Sequence, residues 1–235
     1  MPNSPKQLAL DLPLDPRSGR EDFLVSPSNE PAYTLIEHWP DWPDTILVLR
    51  GPRGSGKSHL ASIWAATAKA WTAAARDITA ERVPHLVSNG AVVIEEADQG
   101  PLDEAALFHL LNLARERRAY VLIVCEAPPD AWGLKTPDLL SRLRLAPSVA
   151  LEAPDDALLR AVLVKLFVDR QLVVDTSVVD YIAVRIERSL RRAAEVVAEL
   201  DREALSRGRR ISRPIAAAVL ESVGEGDEQD VAEPE

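Results

Sequence analysis

The stretch that decides the fold is an eight-residue loop with the pattern G-x-x-x-x-G-K-S, which reads Gly51, Pro52, Arg53, Gly54, Ser55, Gly56, Lys57 and Ser58. Glycines in this pattern let the backbone turn tightly, so that consecutive N–H groups point at an anion. The lysine of such a loop reaches the β- and γ-phosphates of a nucleotide, and the hydroxyl of its last residue ligates Mg²⁺. The loop therefore predicts a site for ADP or ATP with Mg²⁺.

The segments around the loop have the strand–loop–helix order that this chemistry requires. Residues 45–49 form a short apolar run typical of a buried strand, and residues 58–69 are Ala-rich and predict a helix. The N-terminus of that helix would face the phosphates. Continuous apolar runs at 91–94 and 120–125 predict strands buried on both faces, with a helix between them at 102–118 and a last strand at 149–151. This alternation predicts a three-layer α/β domain with a parallel sheet and its ligand at the carboxyl ends of the strands.

The pattern becomes helical throughout after Pro154. Helices are predicted at 155–170, 175–185, 190–207 and 214–223, with no strand between them. The expected organisation is a flexible N-terminal arm at 1–21, the nucleotide-binding α/β domain at 22–153, an all-helical lid subdomain at 154–223 and an acidic disordered tail at 224–235.

Composition narrows the classes of protein to consider. The net charge of −10 comes largely from the segment 221–235, which has seven acidic residues and no basic one; the rest carries 27 basic against 30 acidic residues. A nearly balanced body does not indicate a broad surface for duplex DNA. No apolar run reaches 18 residues, and the single Cys125 excludes an internal disulfide and a cysteine metal site. We expect a cytoplasmic protein that does not span a membrane.

Two carboxylates follow the apolar run at 91–94. An apolar strand that ends in two acids is the form of a Walker B element, in which the first acid (Glu95) holds Mg²⁺ and the second (Glu96) activates the attacking water. The alternative is a pair of exposed acids at a strand end. Since the first acid is usually Asp and Glu95 is one methylene longer, we expect weak or no intrinsic ATP hydrolysis.

From about Asp22 to Leu220, the chain resembles the DnaA-related AAA+ family, and within it the Hda-type regulators that inactivate the bacterial replication initiator DnaA. The segment Phe23 to Asn29 is similar to the family segment that lines the adenine pocket, and residues 56–60 match the family's phosphate loop, including His59. The resemblance implies an AAA+ P-loop domain followed by a helical lid.

The resemblance also implies roles for single residues. Glu126 falls at the sensor 1 position, and Arg191 falls on the sensor 2 helix, where it would contact the nucleotide of its own chain. Arg142 falls where the family has its arginine finger, which acts in trans on a nucleotide in a neighbouring subunit, with Arg144 as the alternative. Either arginine could instead be a surface residue without a role.

The N-terminal arm contains the segment Gln7, Leu8, Ala9, Leu10, Asp11 and Leu12. It resembles the peptide by which Hda and other replication proteins bind the DNA polymerase sliding clamp. An extended segment can place Leu8, Leu10 and Leu12 in an apolar groove while the amide of Gln7 anchors one end. The alternative is a strand or helix packed on the body of the protein.

The sequence thus favours an adaptor that docks on the clamp and promotes hydrolysis of the ATP bound to DnaA. The chain ends soon after the predicted lid, without the helix-turn-helix residues of DnaA, so we expect no direct sequence-specific DNA binding. Self-association is possible in this class. The alternatives are a stand-alone ATPase in the manner of helicase loaders and an inert clamp-binding module.

Overall fold

The structure, a computed structural model, describes residues 19–207 and 210–229. They divide into two compact units, with the boundary between Asp155 and Asp156. The first unit contains a five-stranded sheet in which every pairing is parallel, in the order β2-β3-β4-β1-β5. Its strands are β1 (Ile46–Arg50), β2 (Trp71–Ala74), β3 (Ala91–Glu95), β4 (Tyr120–Cys125) and β5 (Ser148–Ala150).

Helices cover both faces of this sheet. They are α1 (Glu30–Glu37), α2 (Lys57–Ala68), α3 (Val83–Leu86), α4 (Glu104–Arg117) and α5 (Pro137–Leu145). Because successive side chains of a strand point to opposite faces, Ile46 and Val48 pack in one core with α3, α4 and α5, whereas Leu47 and Leu49 pack in another with α1 and α2. The predicted three-layer α/β domain with a parallel sheet is confirmed.

The second unit consists of helices in the part of the chain that the structure describes. They are α6 (Asp156–Asp169), α7 (Thr176–Ala183), α8 (Leu190–Arg207) and α9 (Arg213–Gln229). The inward faces of these helices form a single apolar core, with Phe167 and Leu163 fully buried within it. Helix α9 continues beyond Val223, so residues 224–229, which the sequence assigned to a disordered tail, are helical. Glu and Gln are good helix formers, so an acidic composition does not by itself end a helix.

A cluster of aromatic rings closes the first unit beside the start of β4. Trp42 stacks on Trp64 of α2 with 4.9 Å between the ring centroids. Trp39 meets Trp64 edge-on, Tyr120 meets Trp42 edge-on, and Trp39 and Tyr120 meet each other at 5.7 Å. The tryptophans of the segment before β1 are thus packing residues. None of the helices in the described part of the chain is both long and apolar enough to cross a membrane.

Candidate nucleotide-binding site

The predicted phosphate loop connects β1 to α2. Gly56 has φ 100°, in the left-handed region that favours glycine, and α2 begins at the next residue. Gly51 is required for a different reason, since a Cβ there would lie 2.4 Å from the carbonyl oxygen of Leu151 and 2.9 Å from Ser55 Oγ. The loop therefore lies so close to Leu151, the residue after β5, that a side chain at position 51 does not fit.

Lys57 is buried in the first turn of α2. Its Nζ donates hydrogen bonds to the carbonyl oxygens of Gly51 and Pro52, at 2.8 and 2.9 Å. Burial lowers the pKa of Lys57, and the nearby charges of Glu126 and Asp98 oppose that shift. The ammonium group thus lies against the loop's own backbone, among carboxylates at the carboxyl edge of the sheet.

Ser58 and Glu95, the two residues predicted to hold Mg²⁺, are in contact. Ser58 Oγ donates to Glu95 Oε2 at 3.2 Å, joining the start of α2 to the end of β3. Burial raises the pKa of Glu95, and the hydrogen bond from Ser58 opposes that shift. The hydroxyl and the carboxylate are therefore placed together beside the loop.

The second acid of the predicted Walker B element points elsewhere. Glu96 has a left-handed backbone, with φ 56°, and its carboxylate forms an ion pair with Arg76. Arg76 lies in the short 3₁₀ turn Ala75–Asp77 that follows β2. The sequence did not single out Arg76, because its role depends on the adjacency of β2 and β3 rather than on a local pattern.

The end of β4 brings Glu126 to the same edge. Glu126 is exposed, and its Oε1 accepts a hydrogen bond from Gln99 Nε2 at 3.2 Å. The backbone N–H groups of Glu126 and Ala127 both donate to Asp98 Oδ2, at 2.8 and 2.6 Å. Sequence reasoning missed Asp98, whose one available signal was its position in the same loop as the two glutamates. Cys125, the residue before Glu126, is buried, and burial raises the pKa of its thiol to about 12.

Aromatic rings lie beside His59, in the first turn of α2. His59 Nε2 is 3.1 Å from the carbonyl oxygen of Gly19, and the ring of Phe23 meets His59 edge-on at 5.3 Å. Phe23 also stacks on Tyr33 of α1 at 5.5 Å. The segment expected to line an adenine pocket therefore lies directly beside the residue that follows the phosphate loop.

The two candidate finger arginines differ in their surroundings. The guanidinium of Arg142 on α5 lies over the ring of Phe108 on α4, 4.7 Å from its centroid. Arg144 is exposed and forms an ion pair with Asp130. Arg142 is thus held by a contact that leaves its N–H groups free of a carboxylate partner among the described residues, while Arg144 is engaged.

The other predicted residues are Arg191 and the clamp-binding segment. Arg191 is on α8 of the helical unit, where it pairs with Glu195 at 2.6 Å and is half exposed. The predicted clamp-binding residues Gln7, Leu8, Leu10 and Leu12 lie outside the described residues. In the first unit, the loop, Glu95 and Glu126 share one edge of the sheet, as expected for the carboxyl ends of parallel strands.

Solved structures of other proteins share this fold. No protein-family model matches the chain, and no curated protein matches its sequence. The chain nevertheless has the fold of the AAA+ domains of DnaA and RuvB. It is similar to domain III of the replication initiation protein DnaA from Thermotoga maritima, with a TM-score of 0.74 and 19% identity over 90% of this chain and 98% of that chain.

Two further structures are similar at lower scores. The replication initiator DnaA bound to AMPPCP and single-stranded DNA has a TM-score of 0.67 and 18% identity, covering 83% of this chain and 69% of that chain. The Holliday junction branch migration motor RuvB from Thermotoga maritima has a TM-score of 0.69 and 15% identity, covering 87% and 72%. The fold is thus similar to that of DnaA domain III and is shared with the branch migration motor RuvB.

Proposed function

We propose that this protein is a cytoplasmic AAA+ adaptor of the Hda type. It binds ADP or ATP with Mg²⁺ at the loop 51–58, docks on the DNA polymerase sliding clamp through residues 7–12, and promotes hydrolysis of the ATP bound to the replication initiator DnaA. The observation that carries the proposal is a complete phosphate loop, with Ser58 bonded to Glu95, in a fold similar to that of DnaA.

The residues at the loop fit a Mg²⁺–nucleotide. Lys57 would exchange the two backbone carbonyls for phosphate oxygens, and Ser55 Oγ is buried without a hydrogen-bond partner. No group of three or more metal-ligating side chains occurs in residues 19–207 and 210–229. This is compatible with Mg²⁺, which takes one or two protein ligands and completes its octahedron with phosphates and water. Ser58 and Glu95 would be those ligands.

Two contacts favour a regulator over an efficient ATPase. A general base must come within hydrogen-bond reach of the attacking water, whereas the carboxylate of Glu96 is paired with Arg76. Arg142 offers a rigid, permanently charged guanidinium that rests on Phe108, and such a group stabilises transition-state charge on a nucleotide in a neighbouring subunit. The nucleotide bound by this chain would then have two roles. It would order the lid through Arg191, and it would order the surface that contacts DnaA.

The decisive experiment measures ATP hydrolysis by the cognate DnaA on clamp-loaded DNA. The intact protein is compared with Gln7→Ala, Arg142→Ala and the matched control Arg144→Ala, which removes an arginine from the same helix. We expect the intact protein and the control to stimulate hydrolysis, and both other variants to lose at least about tenfold of it. Absence of stimulation by the intact protein, with active clamp and initiator present, contradicts the proposal.

The same assay separates the alternatives. In a stand-alone ATPase, Glu96→Gln would abolish turnover by the protein itself, whereas in the adaptor it leaves stimulation of DnaA nearly unchanged. In an inert clamp-binding module, Gln7→Ala would weaken clamp binding and Arg142→Ala would change nothing. One set of four variants therefore distinguishes the three functions.

A further inference from the structure

Asp98 joins the two loops that flank Lys57. It lies in the loop after β3, and its Oδ2 accepts the backbone N–H groups of Glu126 and Ala127, at 2.8 and 2.6 Å, in the loop after β4. Its neighbour Gln99 donates to the carboxylate of the same Glu126, at 3.2 Å. The main chain and the side chain of Glu126 are therefore both held from one short segment.

The other oxygen of Asp98 is equally informative. Oδ1 is buried and has no hydrogen-bond partner, although a buried carboxylate oxygen without a partner is costly. The negative charge of Asp98 also acts on Lys57. A buried carboxylate oxygen without a partner, at the carboxyl edge of the sheet, is expected where a functional site rather than stability determines the residue.

We propose that Asp98 is a positioning residue of the nucleotide site, which fixes the Glu126 backbone so that the Glu126 carboxylate can accept hydrogen bonds from water on the Mg²⁺–nucleotide. The proposal rests on nucleotide binding at the loop 51–58. Asp98 acts through Glu126 and does not itself need to touch the nucleotide. Outer residues of this kind govern how well a metal is held even though they are not ligands.

The test measures nucleotide affinity with Mg²⁺ and with EDTA, using ADP and AMPPCP in calorimetric titrations of the full-length protein. The ratio of the two affinities reports the contribution of Mg²⁺. We expect Asp98→Ala and Glu126→Ala each to reduce this ratio about tenfold. The double variant Asp98→Ala with Glu126→Ala should resemble either single variant, because two residues that act as one unit are not additive.

Two further variants separate positioning from other roles. Asp98→Asn keeps an oxygen that can accept both N–H groups, so it should restore most of the Mg²⁺ ratio. Asp103 is a matched control: it caps α4 by accepting the N–H of Ala106 at 2.9 Å, so Asp103→Ala should lower the melting temperature without changing the ratio.

Several outcomes overturn the inference. An unchanged Mg²⁺ ratio in a folded Asp98→Ala protein, additive losses in the double variant, or an Asp98→Asn variant as impaired as Asp98→Ala would each exclude positioning through Glu126. The proposed function survives all three of these results. Absence of nucleotide binding by the wild-type protein overturns both proposals together.

Discussion

The two units of the chain place their polar groups differently. In the described part of the chain, the buried side-chain atoms without a hydrogen-bond partner are Trp39 Nε1, Ser55 Oγ, Trp64 Nε1 and Asp98 Oδ1, and all of them lie in the α/β unit, together with the buried Lys57. Among the residues of the helical unit whose burial the structure describes, the buried polar one is Ser189, whose Oγ accepts the N–H of Arg192 at the start of α8.

The difference separates what builds a fold from what builds a site. The helical unit has an apolar core, and side chains accept backbone N–H groups at the starts of α7 (Asp175) and α8 (Ser189), so these features are explained by stability. The two indole N–H groups belong to the aromatic cluster, whereas Ser55 Oγ, Asp98 Oδ1 and the buried Lys57 lie in or beside the phosphate loop. Desolvated groups of this second kind carry a cost in stability and are expected where a ligand will satisfy them. Substitutions of these groups in the α/β unit should therefore mainly reduce nucleotide binding, whereas substitutions in the core of the helical unit should mainly reduce stability.

The largest effect is expected for Lys57→Ala. Affinity for ADP should fall about a hundredfold, because charge-assisted hydrogen bonds to phosphate are lost. The free energy of unfolding of the nucleotide-free protein should change by less than about 1 kcal/mol, because the desolvation of the buried ammonium offsets its two hydrogen bonds to the loop. Calorimetric titration and urea unfolding give the two quantities.

The matched control for that substitution is Lys135→Ala, at an exposed lysine outside the loop. It should leave both quantities unchanged. A Lys57→Ala protein that binds ADP like the control would contradict the assignment of the loop. One that is strongly destabilised would show that Lys57 serves the fold, and the contrast between the units would then be lost.

The central strands were predictable because burial on both faces produces continuous apolar runs. The runs at 91–94 and 120–125 correspond to β3 and β4 almost residue for residue. The edge strand β2 carries no such run: its sequence is Trp-Thr-Ala-Ala, and its first two residues are exposed. Helix α3 has only four residues, too few for a helical period to be recognised.

The candidate site was predictable only where chemistry follows a local motif. The loop and the strand end at Glu95 are such motifs. Asp98 and Arg76 are not, because each acts on a partner from another strand: Asp98 on the backbone after β4, and Arg76 on the acid after β3. Strand adjacency in a parallel sheet is set by crossover connections, and no periodicity in the sequence encodes it.

A smaller effect is expected for Gly51→Ala, which tests space rather than charge. The added Cβ would lie 2.4 Å from the Leu151 carbonyl oxygen, so the loop must shift. We expect a loss of about 1–3 kcal/mol in stability and roughly tenfold in ADP affinity. Gly90→Ala is the control, since Gly90 has φ +78° and nothing within 4 Å.

The control should lose stability of about 1–2 kcal/mol through backbone strain alone, with nucleotide affinity unchanged. Thermal unfolding and calorimetric titration of both variants make the comparison. Equal effects of the two substitutions on affinity would mean that the close approach of the loop to Leu151 has no part in binding.

In the helical unit, Arg191→Ala should reduce ADP affinity only a few-fold. The residue forms an exposed i,i+4 pair with Glu195, and such pairs contribute about 0.3–0.5 kcal/mol to stability. Arg202→Ala removes a similar exposed pair, with Glu199, from the same helix. A fall in affinity for Arg191→Ala that Arg202→Ala does not share would give the helical unit a role in binding. Identical affinities would confine binding to the α/β unit.

The smallest effect concerns stability alone and is set by pH. The carboxylate of Glu104 accepts hydrogen bonds from the backbone N–H groups of Lys135 and Thr136, at 2.9 and 2.7 Å, and these bonds hold its pKa below the ordinary value of 4.5. A carboxyl with a lowered pKa in the folded state stabilises the protein above its ordinary pKa, and that stabilisation is lost as the pH falls through the lowered value.

Glu104→Gln should therefore lower the melting temperature by roughly 2 °C at pH 7, and the difference should close as the pH falls through the lowered pKa of Glu104. Glu116→Gln, at an exposed position of the same helix, should show no difference at either pH. Glu104 holds the segment that leads into α5, the helix that carries Arg142. A difference in melting temperature that persists in acid would mean that packing rather than charge fixes α5. ADP affinity should be unchanged throughout, because the hydrogen bonds of Glu104 lie away from the phosphate loop and stabilise the scaffold rather than the site.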